Sequence, residues 1–269
     1  MMIIPAPTDV ALYILSFPIY WYGIIMALAI LIGILTANKL CQILFGKKDL
    51  AIEYAPLIII VGILGARLYF CMLNPIHYLS NPIEILDIRE GGLSIHGALI
   101  GGIGALFYIA KKNNLSFLGI MDAFGCGTIL GQAIGRWGNY FNSEAYGLPT
   151  SGQNWGLFIP QERRIAQYAD FSLFHPTFLY ESILDVAAFL ILLFIFKKFS
   201  HKYKGITFFS YLTIYALIRF FIERIRVDSA LNFGNMPIAE LVSVFLFTIG
   251  IIGLIYLAKK YFHNKNGRL

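Results

Sequence analysis

Apolar residues in this chain come in long runs separated by polar intervals. Seven runs stand out, at roughly 19–40, 54–73, 93–110, 117–135, 176–196, 205–223 and 237–258. Each is close to the ~20 residues that a bilayer-spanning helix needs. The pattern predicts an all-α polytopic membrane protein with about seven transmembrane helices, forming one integral membrane domain over 1–269. The fourth, fifth and sixth runs carry ionisable residues, so their ends are less sharp. Two polar intervals are long, 74–92 and 136–175. Within the second, Pro149, Gly152, Gly156 and Pro160 punctuate a polar stretch from Gly147 to Tyr168. That stretch predicts a small structured head rather than a linker. Glycines recur at spacings of four, Gly97 and Gly101 in the third run and Gly127, Gly131 and Gly135 in the fourth. Such spacing lets helices approach closely.

The charges sort by type. Lys39, Lys47 and Lys48 follow the first run, Lys111 and Lys112 the third, Lys197, Lys198, Lys202 and Lys204 the fifth, and Lys259, Lys260 and Lys265 the seventh. All twelve lysines therefore fall on one side, which the positive-inside rule makes the cytoplasm. The N-terminus is then outside and the C-terminus inside. Of nine arginines only Arg268 joins the lysines. Arg67, Arg89, Arg136, Arg163, Arg164, Arg219, Arg224 and Arg226 fall in outer halves of runs or in outer loops. Arginine's planar fork suits bidentate recognition of phosphate or carboxylate. The segregation points to an anionic headgroup as ligand. For Arg89, Arg163 and Arg164, loop salt bridges to residues such as Glu84, Asp87, Glu90, Glu162, Asp170 or Asp228 are the simpler reading.

Composition agrees with the membrane class: 58% of residues are hydrophobic and 13% charged, against roughly 25% charged in a soluble domain. Cys41, Cys71 and Cys126 lie among apolar residues without metal-ligand or disulfide spacing, and read as small core residues. Residues 1–16 hold no basic stretch, so no cleavable signal peptide is expected. No metal, organic cofactor or nucleic-acid partner is indicated.

Four stretches and two smaller features carry candidate chemistry. Gly135 to Gly147 holds Arg136, Asn139, Asn142, Glu144 and three glycines at the mouth of the fourth run. Polar groups near hydrocarbon are costly, which favours a ligand site over a mere loop. His96, in Gly91-Gly92-Leu93-Ser94-Ile95-His96-Gly97-Ala98, is the one ionisable side chain from Leu93 to Ala110. Its free pKa of about 6.5 suits proton transfer near neutrality. Tyr215, Arg219 and Glu223 are spaced i, i+4, i+8 on one helix face, with Arg226 close to the stripe. An Arg219–Glu223 pair could neutralise itself and still hold the arginine for a phosphate. His175-Pro176-Thr-Phe-Leu-Tyr-Glu181 opens the fifth run; Glu181 and Asp185 could pair with Arg136 or another outer arginine, in structural or supporting roles. Tyr22 opens the first run and Arg67 lies inside the second. Asp122, at the start of the fourth, is accounted for by its own helix dipole. No Gly-x-Ser-x-Gly elbow, His-Glu-x-x-His or P-loop is present, which leaves hydrolase, zinc protease and ATP-driven transporter readings without support.

The stretch Gly135-Arg136-Trp137-Gly138-Asn139-Tyr140-Phe141-Asn142-Ser143-Glu144-Ala145-Tyr146-Gly147 resembles the signature of the bacterial prolipoprotein diacylglyceryl transferases. The His96-Gly, His-Pro-x-x-Leu-Tyr-Glu and Tyr-x-x-x-Arg-x-x-x-Glu segments resemble further motifs of that family, in the same order. Two departures are mild: Tyr140 stands where the signature usually has Phe, and Ala98 where a second Gly often follows His-Gly. The resemblance covers essentially the whole chain and implies a transferase. It would move the diacylglyceryl group of phosphatidylglycerol to the lipobox cysteine thiol of preprolipoprotein signal peptides. The products would be a thioether and glycerol phosphate, at the outer face of the bacterial cytoplasmic membrane, as the first step of lipoprotein maturation. His96 is then the candidate base for a thiol of pKa ~8.5, with an arginine-assisted water route as the alternative. Arg136 and Arg219 become the catalytic cations for the leaving phosphate. Tyr22, Arg67, Asn139, Glu144, Tyr215, Glu223 and Arg226 become the substrate-binding set.

The rival reading is a non-catalytic lipid-binding protein or an organic-anion transporter. A transporter usually has sites reachable from both faces and internal repeats. Here no clear repeat is visible, and the cytoplasmic halves of the runs are nearly bare of charge.

Overall fold

The computed structural model describes residues 2–87, 91–150, 154–227, 232–233 and 236–266. Arg89, Glu90, Gly152, Asp228 and Arg268 lie outside the described residues. Each of the seven apolar runs is a helix. In chain order the helices are α1 (Trp21–Phe45), short α2 (Leu50–Glu53), α3 (Ala55–Leu73), short α4 (Pro75–Ser80), α5 (Ile95–Lys112), α6 (Phe117–Phe141), α7 (Thr177–Ile195), α8 (Ile206–Glu223) and α9 (Ile238–Asn266). Among the described residues six are long and apolar enough to cross a membrane: α1, α3, α6, α7 with its following π-turn, α8 and α9. The third run, α5, is an 18-residue helix whose four glycines, His96 and terminal Lys111 and Lys112 dilute its apolar weight. The protein is an all-α polytopic membrane protein. Its helices expose large apolar side chains such as Leu31, Leu64, Leu190, Phe194, Phe245 and Ile252, as a lipid-facing surface requires.

The chain folds as two compact units, Met1–Ala37 with Asp122–Leu269, and Asn38–Met121. In the second unit α3 packs along α5. The approach is close enough that a Cβ on Gly97 would sit 2.1 Å from the Gly65 carbonyl oxygen, a backbone atom that cannot swing aside. The four-residue glycine spacing thus serves packing. Asn38 anchors the α2 turn by accepting from the Ala51 N–H at 3.0 Å. Cys41 and Cys71 are buried here, and Cys126 in the first unit; all three are free thiols.

In the first unit α7 packs on α8, and α8 on α9. Asp122 does not serve its own helix. It is fully buried and accepts from the Gly205 and Phe208 N–H groups, both at 2.8 Å, so it caps α8. Gly205 supplies the φ of 103° at that start and has no side chain to cap with. The cap was hidden in the sequence because donor and acceptor lie 83 residues apart.

The head also belongs to this unit. β1 (Met2–Ile4) runs parallel to β4 (Trp155–Phe158), which pairs antiparallel with β5 (Leu173–Phe174). Tyr146, Leu157, Ile159, Phe174 and Phe178 form its apolar core. The Tyr146 hydroxyl donates to the Arg163 carbonyl at 3.0 Å and accepts from the Ile165 N–H at 2.9 Å. A separate antiparallel hairpin, β2 (Val10–Ile14) with β3 (Phe17–Tyr20), leads directly into α1. Another, β6 (Asn232–Phe233) with β7 (Met236–Pro237), leads into α9.

Replacing Asp122 by Ala strands two buried N–H groups at the head of α8. The expected loss is about 2 kcal/mol, seen as a thermal midpoint in detergent lower by roughly 4–8 °C. Asp122→Asn retains one acceptor and is expected to lose about half as much. An unchanged midpoint for Asp122→Ala would remove the cap from the account.

Candidate functional site

Three helices of the first unit converge their charges on one carboxylate. Glu181 sits in the first turns of α7, 2% exposed. Its Oε1 lies 2.8 Å from Arg136 on α6, and its Oε2 lies 3.5 Å from Arg219 on α8. Arg219 also pairs with Glu223 at 2.5 Å, and Glu223 lies 3.9 Å from Arg226 just past the end of α8. The i, i+4 spacing read from the sequence thus puts Arg219 between two carboxylates instead of leaving it to neutralise one. The three arginine side chains keep 14–18% of their surface accessible, whereas Glu181 and Glu223 are closed off. The carboxylates are the buried supports of the three cations.

The register of α6 against α7 makes the central pair possible. The Ser182 hydroxyl donates to the Ala133 carbonyl at 2.8 Å and accepts from the Trp137 indole N–H at 3.2 Å. These two bonds bracket Arg136 on α6 and sit next to Glu181 on α7. Tyr215 lies one turn before Arg219, and Arg136, Glu181, Arg219 and Asp185 all act electrostatically on its hydroxyl. Asp185, one turn beyond Glu181 on the same face, is fully buried. Among the described residues its two oxygens accept no hydrogen bond. Tyr211 stacks on Tyr215 with ring centroids 5.9 Å apart and donates to Gln132 at 3.4 Å.

The end of the signature folds into a tight turn. Ser143 (φ 52°) and Ala145 (φ 56°) both adopt the left-handed region on either side of Glu144. Such backbone is unfavourable for side-chain-bearing residues and persists where its surroundings dictate it. Here the Asn139 amide donates to Glu144 Oε1 at 2.8 Å, and the Glu144 N–H donates to the Asn139 carbonyl at 3.0 Å. A short ladder then ties the segment down. Gly147 N–H donates to His175, His175 N–H to Leu148, Leu148 N–H to Ile225 and Val227 N–H to Tyr146. The residues flanking Arg226 are therefore stitched to the residues following Glu144. Tyr22, at the start of α1, completes the group: Glu144 and Arg136 both act electrostatically on its hydroxyl. Its ring lies against Gly138, where an added Cβ would come 2.9 Å from a ring carbon. Beside Tyr22 a groove of about 920 Å³ opens, lined in part by Ile19, Gly23, Ala27, Asn142 and Arg163.

The second unit, taken by itself, holds the remaining two candidates. His96 is in the first turn of α5, partly accessible, with its ring 5.9 Å from that of Tyr69. The Arg67 guanidinium donates to the carbonyls of Glu84, Ile85, Gly91 and Gly92 and lies 5.3 Å from the Tyr78 ring centroid. Its fork holds the 74–92 segment to α3. Arg163 and Arg164 are in loop contacts, to Asp9 at 3.4 Å and to the Ile159 and Ala169 carbonyls. Arg224 pairs with Glu240. Among the described residues no three His, Cys, Asp or Glu side chains gather as a metal site.

Sequence reasoning gave Glu181 a supporting role and left it out of the binding set, yet it is the hub of the cluster. The signal was its position, one turn into a helix in a chain with many outward arginines. Gln132, Ser182 and Tyr211 gave no such signal, because each becomes meaningful only through a partner on another helix.

Comparison with known proteins bears on the same residues. The prolipoprotein diacylglyceryl transferase family profile matches residues 9–256. A phosphatidylglycerol–prolipoprotein diacylglyceryl transferase of Clostridioides difficile (strain 630) is 41% identical over 257 residues, covering 96% of this chain and 97% of its own. The proteins of that name from Parasynechococcus marenigrum (strain WH8102) and Thermotoga maritima are 40% and 42% identical. They cover 89% and 90% of this chain, and 90% and 82% of their own. The match spans the head, the arginine–carboxylate cluster and His96 alike. This chain belongs to the prolipoprotein diacylglyceryl transferase family.

Proposed function

We propose that this protein transfers the diacylglyceryl group of phosphatidylglycerol to the lipobox cysteine thiol of preprolipoprotein signal peptides, the first step of lipoprotein maturation. The observation that carries the reading is the pair of guanidiniums, Arg136 and Arg219, fixed on different helices by one buried carboxylate, Glu181. The reaction forms a carbon–sulfur bond at the glyceryl carbon and breaks that carbon's bond to the phosphate oxygen. The electron pair leaves on that oxygen, and the product is glycerol phosphate. Its developing charge needs fixed cations aimed in advance, since reorienting them during the reaction would cost energy. Arginines held by buried carboxylates meet that need.

The other residues take roles consistent with their places. Glu144, steadied by Asn139, and the hydroxyls of Tyr22 and Tyr215 supply hydrogen-bonding groups for the glycerol headgroup. Glu223 holds Arg219 and Arg226. Arg67 acts through the backbone it holds in the 74–92 segment. His96 takes the thiol proton on this reading, an assignment that rests on imidazole chemistry near neutrality. The lysine distribution supports a site toward the outer face of the bacterial cytoplasmic membrane, with the N-terminus outside.

The direct test uses purified protein in detergent with phosphatidylglycerol and a signal peptide bearing a lipobox cysteine. A diacylglyceryl mass gain on the peptide, matched by glycerol phosphate release and lost when the peptide cysteine becomes serine, is the expected result. Headgroup release without peptide modification would indicate a lipase-like activity. Bound lipid without turnover would favour the binding or transport reading.

Arg136→Ala and Arg219→Ala are each expected to lower turnover by about 10²–10³-fold, the usual effect of losing one donor to a developing oxyanion. Glu181→Gln keeps the volume but removes the charge both arginines share, and is expected to lower turnover about tenfold or more with little change in peptide KM. Wild-type turnover in Arg219→Ala would end the leaving-group assignment. His96→Ala is expected to cost about 10²–10⁴-fold; full activity there would transfer the proton step to water.

A further inference from the structure

The groove beside Tyr22 is not used by the chemistry described so far. It is lined by residues of β3 and of the first turns of α1. Gly23 contributes no side chain there, and a Cβ built on it meets nothing within 4 Å. Ala27, one turn further along α1, lines it with only a methyl group. One wall is β3, which among the described residues pairs only with β2, so its other edge is open. The groove's lining also includes Asn142 and the Asp9–Arg163 ion pair. Tyr22 lines it too, with its ring against Gly138.

We infer that this groove holds the acceptor peptide, an extended and mostly apolar segment laid along the edge of β3 with its cysteine at the Tyr22 end. The inference rests on the transferase reading and names where its second substrate docks. The open edge of β3 offers backbone carbonyls and, apart from Pro18, N–H groups, which an extended peptide uses and an acyl chain does not. The polar part of the lining has the same bias: a carboxamide and an ion pair hydrogen-bond a peptide backbone, whereas an acyl chain gains nothing from them. Tyr22 lines the groove and its ring also lies against Gly138, two residues from Arg136, so a peptide with its cysteine at that end lies beside the proposed reacting centre.

Gly23→Leu fills the groove from a position with free space, so the fold is expected to stand. The acceptor-peptide KM should rise about tenfold or more, with the phosphatidylglycerol KM and kcat within about twofold of wild type. A rise in phosphatidylglycerol KM with the peptide KM unchanged would assign the groove to lipid and overturn the inference. Wild-type values for both would overturn it as well. A photo-cross-linking residue at Ile19 gives a second measurement that needs no turnover. A lipobox peptide with cysteine replaced by serine should be captured there and be displaced by excess unlabelled peptide. Failure to capture it would count against the inference even if Gly23→Leu were poorly folded. Wild-type protein that forms no thioether would defeat the transferase reading instead, and the cross-link would still test the groove.

Discussion

Glu181 is taken out of water between two guanidiniums that belong to two other helices, and much of the first unit follows from keeping it there. An ionised carboxylate alone in such a place would cost several kcal/mol. Two arginines offset that cost only if all three helices hold their register. The bonds from Ser182 to Ala133 and from Trp137 to Ser182 fix α6 against α7. The Asp122 cap fixes the start of α8 against α6 from the other end of both helices. A buried ion pair of this kind is weak evidence for stability, because hydrophobic replacements often do as well. Its value lies in direction: it aims two planar forks at a fixed place.

The same constraint explains the head. Glu144 and Arg226 sit at the ends of α6 and α8, where helices fray and side chains gain freedom. The ladder through Tyr146, Gly147, Leu148 and His175 removes that freedom by pairing both ends with backbone. The apolar cluster of Tyr146, Leu157, Ile159, Phe174 and Phe178 then anchors the ladder. A sheet in a helical membrane protein is therefore part of the positioning apparatus.

The helices were legible because hydrocarbon demands long apolar runs, and the lysines were legible because they mark helix ends. The face shared by Tyr215, Arg219 and Glu223 followed from helical period alone. What the sequence hid were relations between helices. Asp122 read as a partner of its own helix dipole, since nothing local showed that Gly205 leaves α8 uncapped across 83 residues. Arg67 read as a ligand for substrate, and its hold on the carbonyls of Glu84, Ile85, Gly91 and Gly92 went unseen because backbone acceptors have no signature in sequence. Glu181 read as a support that could pair with Arg136 or another outer arginine; that it meets both Arg136 and Arg219 depends on three helices and is not in the local sequence. The general lesson is physical: periodicity reports which face a residue is on, and says nothing of what the face meets.

On the transferase reading, the carboxylates have a further consequence for rate. The bound lipid phosphate is a diester with a single negative charge, and it leaves as a monoester carrying more. Arginines without carboxylate partners would grip the diester strongly and gain less as the second charge develops. Arginines already shared with Glu181 and Glu223 hold the ground state less tightly, yet respond to each increment of charge on the departing oxygen. Only interactions stronger in the transition state than in the ground state accelerate the chemical step. A balanced cluster of cations and buried carboxylates therefore favours turnover over capture, and it lets the charged product go.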